Sequence, residues 1–273
     1  METYTYLFRA AISLYLLGGI LFVAFFLSQK RAAATFGFLA AGAGFCLHSA
    51  CLIIRWVLLR YPPVSSLYES LCFFAWVIML VYGVVELRQR NRVNGAFVLP
   101  LVALITGYTL LLNPRVRPLV PALKSPWLGI HAAACLLAYA CFLLAFCFGV
   151  MYLWQEREVK TKKIDTYFFR LPSLGLVDRL GYKSVVFGFI FLSFGIVSGS
   201  IWAYSAWGSF WSWDPKETSA LIVWLVYVLY LHGRLSSGWR GRKSAWLAVA
   251  GFATVLFTYL GVSFLLPGLH AYF

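Results

Sequence analysis

Runs of about twenty apolar residues recur along the whole chain, each long enough to cross the hydrocarbon of a bilayer as a helix. They lie at about 6–27, 33–59, 67–87, 95–112, 127–154, 185–203, 218–231 and 244–265. The seventh is short on its own and is extended by the aromatic run before it. Barrel strands would alternate over about ten residues, whereas these runs are unbroken, so helices follow. The only long polar connection is 155–183, and no repeat or low-complexity tract is present. The expectation is an all-α polytopic membrane protein with about eight transmembrane helices, forming one integral membrane domain over 1–273.

Composition agrees. Of 273 residues, 62% are hydrophobic and only 12% charged, about half the charged share of an average soluble domain. That excludes an ordinary soluble enzyme, a disordered chain and a coiled coil. A net charge of +14 would suggest nucleic acid for a soluble protein, but in a membrane chain it first reports topology. Sixteen of the 23 Lys and Arg fall in alternate loops: Lys30 and Arg31, then Arg88, Arg90 and Arg92, then Arg157 to Lys183, then Arg234, Arg240, Arg242 and Lys243. The others (Arg9, Arg55, Arg60, Arg115, Arg117, Lys124, Lys216) lie on the opposite side or inside a span. The positive-inside rule then places both termini outside the cytoplasm, with the lipid bilayer and no nucleic acid as partner. The first run is too long for a signal peptide and lacks a basic start and an A-x-A site, so it reads as a retained span. The six cysteines all fall in spans without a C-x-x-C and read as small apolar packing residues.

The densest local feature is 202–218, between the sixth and seventh spans. Four of the eleven tryptophans sit in twelve residues there (Trp202, Trp207, Trp211 and Trp213), on the outer side by the charge count. One reading is an interfacial aromatic belt. The other is a wall of flat rings for a large planar ligand such as a porphyrin. Spacing of three to four residues from Trp207 to Asp214 would set several of them on one side of a short surface helix. Asp214-Pro-Lys-Glu217 then reads as a helix start, with Asp214 as cap and Glu217 at the third position.

Only four histidines occur: His48, His131, His232 and His270. Each alone could be a hydrogen-bonded packing residue, although ionisable groups in spans point to function. His131 begins the fifth span and His270 follows the eighth, both at the level of the tryptophan-rich segment. Two imidazoles there could ligate a haem iron axially. His48 and His232 form the other pair, but at different depths. His232 lies near the inner face, while His48 is about 15 residues, roughly 22 Å, from the inner end of its span. A shared iron would need the second span to tilt, start later or break near Gly42 and Gly44. Arg55, two turns after His48, reads either as a snorkelling residue paired with Glu69 or as a partner for a haem propionate.

These residues resemble a known family. Trp207-Gly-Ser-Phe-Trp211-Ser-Trp213-Asp214-Pro-Lys-Glu-Thr218, followed by Trp224 to His232-Gly-Arg234, is similar to the WWD segment of haem-handling proteins, closest to the CcsA/ResC type of the System II cytochrome c synthase. The stretches around His48 with Arg55-Trp56, Pro63 to Ser70, Leu128 to Phe142, and Gly261 to Tyr272 resemble further parts of it. Ser219 stands where the family usually has another Trp, Ser66 where Asn is common, and Ala271 for a frequent Ser.

The resemblance implies a haem-handling subunit of a cytochrome c synthase. His48 and His232 would be the membrane ligands of the haem iron. His131 and His270 would be the external ones, against Trp207, Trp211, Trp213 and Asp214. It implies haem b, with iron kept reduced, as substrate, and attachment to the C-x-x-C-H thiols of apocytochrome c at the outer face. No catalytic protein residue is assigned. A CcsB/ResB-type membrane subunit would act in trans. The membrane would be a plasma membrane, or a thylakoid with the lumen as the active face. Alternatives are a haem exporter or chaperone without ligation activity, and a scaffold for a haem-synthesis enzyme.

Overall fold

The computed structural model describes residues 2–114, 123–162, 165–266 and 268. The helices are α1 (Glu2–Ser28), α2 (Arg31–Leu59), α3 (Leu67–Gln89), α4 (Asn94–Thr109), α5 (Pro126–Thr161), α6 (Leu174–Trp207), α7 (Pro215–Ser236) and α8 (Arg242–Leu256). A π-helical turn, Phe257–Gly261, continues α8 into a last short helix, α9 (Val262–Leu265). No strand occurs among the described residues, and the chain is an all-α polytopic membrane protein. Among the described residues, seven helices are long and apolar enough to span a bilayer, counting α8 through Leu265. The fourth apolar run forms a helix of only 16 residues that contains Pro100.

Helix ends follow local chemistry. The Ser66 hydroxyl accepts from the Glu69 amide at 3.2 Å and starts α3. Ser125 caps α5, whose first residue, Pro126, has no amide hydrogen to leave unpaired. Asp214 and Glu217 make the reciprocal capping box expected at the start of α7.

Two expectations are corrected. The polar stretch 155–183 is mostly helical rather than a long connection. α5 runs on to Thr161 and α6 starts at Leu174, because Gln155 to Lys160 are mainly good helix formers and Glu156 pairs with Lys160 at 2.9 Å. The short surface helix over 207–214 does not form. α6 itself continues to Trp207 and stops at Gly208, which is left-handed at φ 78°. The chain then reaches Asp214, which Pro215 holds extended at φ −53°, ψ 143°.

The helices gather into two compact units, Met1–Val116 with Ile164–Pro172, and Arg117–Lys163 with Ser173–Phe273. In the first, α1 lies between α2 and α4, and α3 packs on α4 and α2. Glycines allow the close approach of α1 and α2: a Cβ on Gly18 would sit 3.3 Å from the Gly37 carbonyl oxygen. The Trp76 indole donates to Ser49 Oγ at 2.8 Å, tying α3 to α2 with a polar contact inside an apolar layer. In the second unit α5 runs along α6 and α8, and α7 packs on α8 and α6. There Trp224 donates to Ser193 Oγ at 2.8 Å. Arg234 forks onto both carboxylate oxygens of Asp178 at 2.7 and 2.6 Å, fixing the end of α7 to the start of α6.

Candidate functional site

His131 stands near the start of α5 and faces α6. Its Nδ1 lies 2.8 Å from the carbonyl oxygen of Gly195. A carbonyl only accepts, so Nδ1 carries the proton and donates it, and Nε2 holds the ring's lone pair. Room for the imidazole comes from Gly199, where a Cβ would stand 2.6 Å from Nδ1. The Cys135 sulfur, one turn along α5, is 3.7 Å from the same nitrogen. The ring also lies nearly parallel to the Trp202 indole, at 5.9 Å and 18°. Trp202 is buried and meets Trp207 edge-on at 5.0 Å and 71°. One imidazole with a fixed tautomer is thus seated among aromatic rings where α6 ends and the tryptophan-rich segment begins.

Beyond Gly208 the segment is a loop held by side-chain bonds to its own backbone. Ser209 Oγ donates to the Trp211 carbonyl at 2.8 Å, and the Ser212 amide donates to Glu217 at 2.8 Å. Trp213 takes a left-handed backbone, φ 59°, rare for a bulky residue, and its side chain is 71% exposed. Trp211 and Trp213 meet at 5.8 Å and 89°, whereas Tyr204 and Phe210 stack at 4.4 Å and 10°. Both tryptophan pairs, Trp202 with Trp207 and Trp211 with Trp213, meet edge-to-face, an arrangement the ring quadrupole favours.

Asp214 is buried and accepts from the Lys216 amide at 2.9 Å. Its other oxygen lies against the backbone of Gly268, where a Cβ would come within 2.5 Å. The Lys216 ammonium donates to Ser263 Oγ at 2.7 Å. α7's start thus holds the chain that follows the π-helical turn. His270 lies outside the described residues, as does Ala271.

In the other unit, His48 is fully buried on α2. Its Nδ1 is 3.2 Å from the Tyr15 hydroxyl on α1, and Phe8 lies 5.1 Å from its ring. Its Nε2 is buried and has no hydrogen-bond partner among the described residues. α2 is continuous through Gly42 and Gly44, so no break alters the depth of His48. Arg55 is 3% exposed and pairs with Glu69 through Nε at 3.0 Å and Nη2 at 2.8 Å. Nη2 also donates to the Pro114 carbonyl at 3.1 Å, while Nη1 is buried with no partner among the described residues. Glu69 is completed by the amide and hydroxyl of Ser65. His232 is exposed in the last turns of α7, with Ser236 Oγ 3.5 Å from its Nδ1.

Of the expected site residues, the structure brings together His131 and Trp207, through Trp202, and joins Trp211 to Trp213. Sequence reasoning passed over Gly195 and Gly199, which seat His131, and Tyr15, which contacts His48. Glycines four apart on one helix were the available sign at Gly195 and Gly199, marking a face that a neighbour approaches closely. Nothing in the sequence marks Tyr15 among sixteen tyrosines.

Residues 64–270 match the family model described as Cytochrome C assembly protein. Curated relatives include the cytochrome c biogenesis protein CcsA of Heterosigma akashiwo, 40% identical over 80% of this chain and 79% of that one. CcsA of Prochlorococcus marinus is 38% identical over 82% and 80%. CcsA of Microcystis aeruginosa is 37% identical over 84% of each. Among solved structures, the cytochrome c haem lyase CcmF has the same fold over 94% of this chain, with a TM-score of 0.61 at 20% identity. This chain spans 46% of the CcmF chain, a little under half its length. With three quarters of its length inside the family match and CcsA proteins aligned over most of it, the chain belongs to the cytochrome c assembly protein family, as a CcsA-type member.

Proposed function

We propose that this chain holds haem b as a substrate at the extracytoplasmic face of its membrane and presents it for covalent attachment to apocytochrome c. The observation that carries the reading is His131. Its Nδ1–H is committed to the Gly195 carbonyl at 2.8 Å, which leaves Nε2 as a lone-pair donor of the kind an iron takes. His270 supplies the second external ligand, and Trp207, Trp211, Trp213 and Asp214 surround the pair. His48 and His232 ligate at the membrane site, where Arg55 Nη1 is available to a propionate. The family likeness supports these pairings.

Each thioether forms by adding the S–H of one apocytochrome thiol across one vinyl C=C, with sulfur to one carbon and hydrogen to the other. No atom is left over and no net redox change occurs. The residues named here hold and orient the substrate and keep its iron ligated and reduced; none acts as a nucleophile. A CcsB/ResB-type membrane subunit works with the chain, and both termini lie outside the cytoplasm.

The test is the absorption spectrum of the chain purified from haem-replete cells. A Soret band with low-spin, bis-histidine character is expected, reduced in His131→Ala and restored in part by added imidazole. A colourless protein overturns haem handling. Covalent haem on an apocytochrome co-expressed with chain and partner supports attachment. Its absence with a competent partner leaves only transport.

A further inference from the structure

We infer that Tyr15 is a positioning residue for His48, setting which ring nitrogen presents its lone pair, and that Gly44 is the notch that admits it. The inference rests on the reading of His48 as an iron ligand and adds the groups through which that ligand is controlled.

Tyr15 and His48 are both fully buried, on α1 and α2 of the same unit, with 3.2 Å between the hydroxyl oxygen and Nδ1. The pair shares one hydrogen bond but holds two polar hydrogens. If the hydroxyl donates, Nδ1 is the acceptor, and Nε2 carries a buried N–H with no acceptor among the described residues. If Nδ1–H donates, Nε2 carries a lone pair, and the hydrogen without an acceptor is the rotatable hydroxyl one. Only the second arrangement can ligate. Binding at Nε2 therefore selects it, and Tyr15 becomes the acceptor that orients the ring and makes it a better electron donor.

The contrast with His131 is chemical. The Gly195 carbonyl can never donate, so that ring has one tautomer whether or not it is ligated. The phenol can do either, so His48 can pass between ligating and non-ligating forms by moving two protons.

The pose depends on the missing side chain at Gly44. A Cβ there would stand 2.9 Å from the Tyr15 ring at Cδ1 and 3.0 Å at Cε1. Adding a methyl displaces the phenol without touching its chemistry, whereas Tyr15→Phe removes the hydroxyl and keeps the ring. Two different changes thus act on one contact.

The experiment uses the full-length chain in a His131→Ala background, so that the retained haem b reports the membrane site. Tyr15→Phe is expected to lower haem affinity about tenfold, the lower end of the effect of losing such a partner. It should also raise the midpoint potential, because a less electron-rich imidazole favours the reduced iron. Gly44→Ala should give the same two changes, and the double variant should be no worse than either single one. Unchanged affinity and potential in Tyr15→Phe, while His48→Ala loses haem, overturns the inference and leaves His48 a ligand. Unchanged haem in His48→Ala overturns the ligand reading itself, and the inference with it.

Discussion

The contacts that matter most are those in which one atom more or less decides a pose. Gly199 is such a position. A methyl there meets His131 Nδ1 at 2.6 Å, so the imidazole must turn out of its seat. Ala is nevertheless the better helix former by about 1 kcal/mol, so α6 should not weaken. Gly199→Ala should therefore keep its helical circular dichroism and thermal stability while losing the same share of haem absorbance as His131→Ala. Equal loss of both would show a packing defect instead. The Arg55–Glu69 pair behaves oppositely. Glu69→Gln leaves a buried guanidinium without its counter-charge, and removing one member of a buried pair costs about 3 kcal/mol. Glu156→Gln, whose partners Lys160 and Arg242 are 55% and 60% exposed, should cost under about 1 kcal/mol. Thermal unfolding of the two variants in detergent compares them directly. The Arg55–Glu69 partnership was legible, because an arginine inside a span demands a counter-charge and few acids were near. The His131–Gly195 contact was not, since a backbone carbonyl 64 residues away leaves no mark in side-chain chemistry.

Among the helices, the start of α7 was readable and the limits of α5 and α6 were not. Asp214-Pro-Lys-Glu217 announces α7 because a carboxylate cap, a proline and a third-position glutamate each satisfy a separate need of the first turn. The end of α6 was obscured because the aromatic run continues the apolar pattern of the helix, and only Gly208 signals the stop. The limits of α5 and α6 were missed for a related reason: a charged stretch ends a membrane span but not a helix. Ser66 caps α3 through its hydroxyl. Asn caps as well as Ser, so Ser66→Asn should change stability by under about 0.5 kcal/mol, and Ser66→Ala should cost about 1 kcal/mol. Asp214 allows a finer separation. Asp214→Asn keeps an acceptor for the Lys216 amide but removes the charge beside Gly268. If the carboxylate serves only as a cap, Asn will match Asp in melting temperature and in haem spectrum, and Ala will fall about 1 kcal/mol short in stability. A normal melt with an altered spectrum in the Asn variant would show that the charge acts on the site.

For the whole molecule, the two strongest features of the sequence address different questions. Hydropathy gave the helices, whose apolar runs appear in the structure with shifted ends. The distribution of Lys and Arg addresses their direction across the membrane, which helix packing alone leaves open. Sixteen of 23 basic residues in alternate loops predict that the 208–214 loop faces outward and the α7–α8 connection faces the cytoplasm. Ser212 and Ser237 are exposed in those two loops and suit single-cysteine substitution, with the unsubstituted chain as background for Cys46, the exposed native cysteine. A membrane-impermeant maleimide applied to intact cells should label Ser212→Cys and spare Ser237→Cys, and permeabilising the membrane should make the second reactive. The reverse pattern would place the tryptophan-rich segment on the cytoplasmic side and remove the argument for presenting haem outside. Labelling of Ser212→Cys should also slow when haem is bound, because its neighbours Trp211 and Trp213 would then lie against the substrate. An unchanged rate in haem-loaded protein would put the substrate away from those two rings, and the external site would then rest on His131, Trp202 and Trp207.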